Sequence, residues 1–282
     1  MSTKKILVAI DYHSASVNAF HYAQQIAVQE KAELILLHVF HVPVPAMDSA
    51  IPIHDIKEVQ SFENKRMERF QHTNTEDTKT KIKISRHAVE GLAGDIIPEW
   101  IKKNKPNLVV MGIHETNVLD EFLMGSTCEK IIYDDLVPVL IVPGKAKYKK
   151  VHHITLATDL KDINVRHVAD VVKHYCSLFN AKLQLLHITQ PNEIKFLEIN
   201  RNLEKLEEEL SQIKHSLNEP ESSSIHDTME KELLRNRSQW LMLIHKKYSF
   251  LKEIFHRSLI KKMTFHSEIP ILILNSGNKP GK

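Results

Sequence analysis

The sequence predicts an α/β protein built as two tandem open parallel sheets of five strands each, flanked by helices. Three observations predict it. The chain has 282 residues, which at roughly 100 to 200 residues per domain suits two units. Its halves repeat each other. Short, unbroken apolar runs alternate with stretches of helical periodicity, the pattern of strands covered on both faces by crossover helices.

The repeat is visible in three places. Ile6-Leu-Val-Ala-Ile-Asp11 matches Ile154-Thr-Leu-Ala-Thr-Asp159, and Ala32-Glu-Leu-Ile-Leu-Leu-His-Val39 matches Ala181-Lys-Leu-Gln-Leu-Leu-His-Ile188. Val137-Pro-Val-Leu-Ile-Val142 matches Ile269-Pro-Ile-Leu-Ile-Leu274 at a shorter spacing, so the second half has a shorter middle. The joint is expected at residues 145–150, a polar and basic connection after Pro143-Gly144, giving units at 1–145 and 150–282.

In the first half, residues 6–10, 34–39, 82–89, 108–111 and 137–142 read as strands. A helix over 15–30 carries Val17, Phe20, Ala23 and Ala27 at three- and four-residue spacing, and one over 96–103 carries Ile97, Trp100 and Ile101. Pro138 suits an edge strand, where a missing N–H is tolerated. The second half repeats the scheme with strands at 154–158, 183–188, 240–244 and 269–274 and a helix over 165–179. Its middle is weaker: a charged helix over 192–216 with an apolar stripe of Phe196, Leu203, Leu206, Leu210 and Ile213, then at most a short strand within 222–228. Alternating strands and helices with right-handed crossovers make each unit Rossmann-like.

Composition narrows the functions. Hydrophobic residues are 42% and charged residues 26%, so disordered, collagen-like and disulfide-scaffold chains are excluded. The net charge is only +3, with basic residues scattered among acidic ones, so neither nucleic acid nor a basic stripe is expected. No window approaches a membrane span, and two cysteines without metal-type spacing suit reduced thiols in a cytoplasmic protein. Eighteen histidines make the charge climb below about pH 6.5. Glycine is scarce: seven occur where average usage gives roughly 20, and five of them are Gly91, Gly94, Gly112, Gly125 and Gly144.

Ligands of open parallel sheets bind beyond the carboxyl ends of the strands. In the first half those ends are Asp11, His38-Val39 and Gly112. Gly125-Ser126-Thr127 opens a helix, whose free N–H groups and hydroxyls suit a phosphate. A strand-ending glycine and an N-cap serine without any ligand is the competing interpretation of the same residues.

Residues 4–16, Glu90-Gly91, Asn107-Leu-Val-Val-Met-Gly112, Gly125-Ser126 and the Val-Pro-Val-Leu-Ile-Val ending together resemble a universal stress protein domain of the UspA type, with the adenine nucleotide alpha hydrolase-like fold. The likeness covers nearly all of the first half and, more weakly, the second. It implies a stress-response protein that binds an adenine nucleotide without turning it over. It also implies that residues 137–142 and 269–274 pair antiparallel, making an intrachain pseudo-dimer.

Nucleotide-binding members share glycine, two residues, glycine, nine residues, then glycine with serine or threonine. Here Gly112 and Gly125-Ser126 match, and Glu115 replaces the middle glycine. By the resemblance Asp11 accepts hydrogen bonds from ribose, Val39 meets adenine through its backbone, and Gly112, Gly125, Ser126 and Thr127 hold phosphates, with Met111 and Glu115 completing the site. A carboxylate at Glu115 repels phosphate oxygens, so ATP is expected to bind weakly, or AMP or adenosine to be preferred, unless Mg²⁺ bridges Glu115 to the phosphates.

In the second half, aligning Met111-Gly112-Ile-His114 with Met242-Leu243-Ile-His245 places Lys246, His256, Arg257 and Ser258 at the motif positions, and no glycine remains. Asp159 there is expected to cap a turn. Other readings stay open. His13, His38, His41, His114 and Glu115 could gather near a metal; Cys128 could be an activated thiol or a buried hydrophobe; slow ATP hydrolysis would draw on Asp11 or Glu115. The last is an interaction scaffold with decayed pockets, acting on an unknown protein partner or assembling as a homo-oligomer.

Overall fold

The computed structural model describes residues 3–42, 56–75, 82–113, 126–191, 197–245 and 269–277. The amino-terminal half runs β1 (Lys5–Ile10), α1 (Ser14–Glu30), β2 (Glu33–Phe40), α2 (Ile56–Asn74), β3 (Ile84–Glu90), α3 (Ala93–Asn104), β4 (Leu108–Ile113), α4 (Ser126–Asp134) and β5 (Val139–Pro143). The carboxyl-terminal half runs β6 (His153–Ala157), α5 (Val165–Phe179), β7 (Lys182–Leu186), α6 (Leu197–Glu209), β8 (His215–Asn218), α7 (Ile225–Asn236), β9 (Trp240–His245) and β10 (Ile271–Asn275).

The strands form one ten-stranded sheet in the order β3-β2-β1-β4-β5-β10-β9-β6-β7-β8. Each half is parallel, and the two meet where β5 and β10 pair antiparallel, with Leu140 beside Leu272. The expected pairing of last strands is therefore present. Because β5 lies inside this sheet, Pro138 is not on an edge strand; it directly precedes β5, and its carbonyl accepts from Val109 N–H at 3.0 Å. Joining the halves hides two apolar edges that would otherwise invite aggregation.

Two apolar layers cover the sheet. On one face α1, α2, α5 and α6 bury Phe20, Ile26, Met67, Val172 and Leu206 with the even-numbered β1 residues Ile6 and Val8. On the other, α3, α4 and α7 bury Ile97, Ile131 and Leu233 against Leu7, Val109 and Leu241. This alternation is the two-residue period of a strand covered on both sides. The seam between halves is built on the first face: Trp240, fully buried, donates its indole N–H to Tyr22 Oη at 2.7 Å, and Tyr175 and Phe179 pack on its ring at 5.5 and 4.9 Å.

Several elements differ from the sequence expectation. The third strand of the second half is β8, at His215–Asn218, while residues 222–228 form instead the approach and first turn of α7. Ser224 caps that helix by accepting from Asp227 N–H at 3.3 Å. The described part of the charged helix is α6, shorter than 192–216, and residues 192–196 lie outside the described residues. Helices α2 and α7 are additional to those read in the sequence.

Candidate functional site

The turn from β1 into α1 carries the first expected site residue. Asp11 Oδ1 accepts from His13 N–H at 3.0 Å, an Asx turn. Ser16 Oγ donates to His13 O at 3.0 Å and accepts from Asp11 N–H at 3.3 Å. The Asp11 side chain is about half exposed, 55%, and its Oδ2 lies 3.4 Å from His13 Nδ1. Tyr12 follows with φ +65°, a left-handed conformation that a bulky residue holds only under constraint. The constraint is visible: the Arg66 guanidinium lies 3.9 Å over its ring, and His38 and Phe70 pack at 4.5 and 5.6 Å. Leu160, one residue after Asp159, takes φ +60°. Both halves therefore use the same strained turn, and sequence reasoning had singled out neither residue.

Gly112 lies within β4, paired with Val142 on β5. A Cβ placed there would sit 2.2 Å from Ala15 O and 2.8 Å from Ser16 N. Its side-chain space is taken by the first turn of α1, so the glycine serves helix-to-strand packing. This accounts for it without a ligand.

Val39 continues β2 beside β1, and Met111 lies on the same sheet face, toward α3 and α4. Around them Ala9, Val39, Val89 and Ala93 are only partly buried, forming an apolar shelf at the carboxyl ends of β1, β2 and β3. Ser126 and Thr127 open α4, the former exposed and the latter partly so. Lys130, one turn on, holds Asp95 of α3 at 2.5 Å, tying the starts of the two helices together. The topology thus brings Asp11, Val39, Met111, Gly112, Ser126 and Thr127 to one end of the sheet. Glu115 and Gly125, together with His114, lie outside the described residues.

The second half offers an internal comparison. Ile6 pairs with Leu108 and Ile154 with Trp240, so Met111 corresponds to Leu243 and Gly112 to Ile244. The sequence alignment through the shared histidine was one residue out of register. Ile244 is accommodated because α5 starts late. Matching the helix C-caps Lys31 and Asn180 puts Ile163 at the place of Ser14, two residues before α5 begins. Helices α3 and α7 have equal length and left-handed C-caps at Lys105 and Arg237, so Ala93 corresponds to Ile225 and Ile97 to Met229.

Those exchanges close the second mouth. Ala157, Asp159, Leu186, Ile188, Ile225 and Met229 surround a cavity of about 20 Å³, room for about one water and not for a heterocyclic base. Asp159 accepts from Lys161 N–H at 3.1 Å, the turn role expected of it. Ala93 and Ile225 were missed because the helix starts show no shared motif; aligning the two helices by length would have found them.

The histidines at the strand ends have partners on the opposite face. His38 Nδ1 donates to Ile10 O at 2.7 Å and its Nε2 lies 3.5 Å from Glu63; His187 Nδ1 meets Thr158 O at 3.0 Å. Among the described residues no group of three or more histidine, cysteine or acidic side chains could hold a metal ion. Cys128 is buried, and burial, with Glu129 nearby, pushes its thiol up to about 12, away from an activated nucleophile. Burial also pushes Cys176 up to about 12. No helix among the described residues is long and apolar enough to cross a membrane.

Comparison with known proteins agrees with this architecture. The chain is 29% identical over 145 residues to a universal stress protein of Methanocaldococcus jannaschii, covering 51% of this chain and 84% of that one. It is 27% identical over 144 residues to one of Bacillus subtilis, covering 49% and 97%. A universal stress protein of Archaeoglobus fulgidus superposes on 98% of this chain and 100% of its own with TM-score 0.72 at 14% identity, a likeness of fold. Residues 2–143 match the Universal stress protein family, and the chain belongs to that family.

Proposed function

We propose that the chain binds an adenine nucleotide or nucleoside in its amino-terminal half as a non-catalytic sensor, and that its carboxyl-terminal half has lost that capacity. The two units are 1–145, with a partly retained site, and 150–282, degenerate. The observation that carries this reading is the contrast between pseudo-equivalent mouths. One carries the small residues Ala9 and Ala93 beside Val39 and Val89, while the other has Ile225 and Met229 at the places of Ala93 and Ile97 around a cavity of about 20 Å³.

On this reading the base lies on the shelf beside Met111, the ribose hydroxyls donate to the half-exposed Asp11, and Ser126 and Thr127 at the start of α4, with Gly125 preceding them in the sequence, are assigned to the phosphates. Gly112 contributes indirectly, by letting α1 approach β4. Glu115 sets the charge preference, favouring AMP or adenosine over ATP, with Mg²⁺ the one ion that could reverse the order.

Calorimetric titration of the whole chain with ATP, ADP, AMP and adenosine, with and without Mg²⁺, tests the reading. One site per chain is expected. Absence of heat with all four would leave a scaffold whose output is its surface. Glu115→Gly is expected to tighten ATP binding about tenfold, the removal of about 1.4 kcal/mol of repulsion, with a smaller gain for adenosine. An unchanged ATP affinity would show that Glu115 points away from the phosphates.

A further inference from the structure

On the first face of the sheet the repeat gives the seam two matching niches, and only one of them is filled. Matching α1 with α5 through their C-caps Lys31 and Asn180 pairs Tyr22 with Val171 and Glu30 with Phe179. Strand register pairs Leu108 with Trp240. The niche at Trp240 is packed with rings: Tyr22 lies 6.4 Å and Phe179 4.9 Å from the indole, and Tyr148 lies 5.0 Å from Tyr22. The Tyr148 hydroxyl accepts from Gln29 Nε2 at 2.8 Å. In the other niche Leu108, Val171 and Glu30 stand at the places of Trp240, Tyr22 and Phe179. They surround, with Tyr175, a cavity of about 260 Å³. We propose that this cavity is a second binding site, for a neutral aromatic molecule that carries a phenol-like hydroxyl.

The wall selects against ions. The Glu30 side chain, 7% exposed, is held by Lys4 Nζ at 2.8 Å and by His174 Nε2 at 2.5 Å. Asp170 of α5 is engaged by Lys173 at 3.1 Å. A charged ligand would have to break one of these pairs and leave its partner uncompensated in a half-enclosed place. Ile6, Leu108 and Val171 supply apolar surface for the faces of a ring.

Tyr175 supplies the polar recognition. It is 4% exposed and lines the cavity, yet among the described residues its hydroxyl makes no hydrogen bond, and its oxygen is not sealed from a small probe. Burial, with Glu30 nearby, pushes this hydroxyl up, so it keeps its proton and offers a donor. Nearly all buried polar side-chain atoms have a partner, and leaving one without a partner is costly. A ligand hydroxyl oxygen inside the cavity gives Tyr175 its acceptor, as Tyr148 does for Gln29 in the filled niche. The cavity lies at the amino ends of β1 and β4, away from the carboxyl ends to which the nucleotide is assigned, so this inference does not rest on that reading.

Titration of the whole chain with p-cresol and with toluene, which differ only by the hydroxyl, tests the proposal by calorimetry. One p-cresol site with a Kd of about 0.1 to 1 mM is expected, and toluene about tenfold weaker. Val171→Tyr, which installs the residue of the filled niche, is expected to weaken p-cresol at least tenfold while adenosine behaves as with the parent. Tyr175→Phe keeps the ring on Trp240 and is expected to cancel the preference for p-cresol over toluene; it decides the matter if Val171→Tyr does not fold. Absence of p-cresol binding, equal affinity of the parent for both probes, an undiminished preference in Tyr175→Phe, or displacement of p-cresol by adenosine would overturn the proposal.

Discussion

Gly112→Ala is expected to destabilise the chain by about 3 kcal/mol or more, read as a fall in the urea midpoint at constant slope. The new Cβ would meet Ala15 O at 2.2 Å, Ala15 C at 2.3 Å and Ser16 N at 2.8 Å. These are backbone atoms of the first turn of α1, so no side chain can rotate away. That turn is pinned by the Asp11, His13 and Ser16 hydrogen bonds and by the left-handed Tyr12, so relief would require giving up several contacts at once. Gly144→Ala is the control. Its Cβ would lie 3.6 Å from Ile113 O and 3.9 Å from Ala15 Cβ, ordinary contact distances, and a change below about 1 kcal/mol is expected. Equal midpoints for the two variants would show that α1 can retreat, as α5 does before Ile244, and would return Gly112 to the list of ligand contacts.

That pair of outcomes shows why the site was only partly legible in the sequence. A glycine at a strand end has the same appearance whether a phosphate or a neighbouring helix comes close, and only the position of Ala15 separates the two. The strands were legible because burial on both faces leaves nearly unbroken apolar runs, such as Leu34 to Leu37 and Val139 to Val142, that turns cannot imitate. Their order at the seam followed from the family likeness. Helix α2 was not legible, since of its apolar side chains among the described residues only Met67 and Phe70 reach the core. The short edge strand β8, with one face on solvent and four residues, has too little pattern to read. The one-residue error at β9 arose from matching His114 with His245, where identity competed with the offset already given by Val137 and Ile269. Strand pairing decides for the latter. The strained turn at Tyr12 gave no signal because tyrosine is not a residue that marks left-handed backbone.

Ala93→Ile is expected to weaken adenosine and AMP binding about 10- to 100-fold, or about 1.4 to 2.8 kcal/mol, while moving the unfolding midpoint little. The argument uses the protein as its own control. At the matching helix start the carboxyl-terminal half carries Ile225, and the mouth beneath it holds about 20 Å³. Three added carbons at Ala93 would project over Ala9, Val39 and Val89, and forcing extra methylenes into occupied space costs about 1 to 3 kcal/mol. In the free chain Ala93 is only partly buried, so the same carbons are expected to reach solvent and folding to bear little of that cost. The cost falls on the complex. The expected signature is therefore a loss confined to ligands that carry the base, with inorganic phosphate equally weak for both proteins. Ile225→Ala, which trims the closed mouth, is expected to leave affinity in the first half unchanged. If Ala93→Ile binds adenosine as the parent does, the base does not lie on this shelf, and the difference between the two mouths records packing alone.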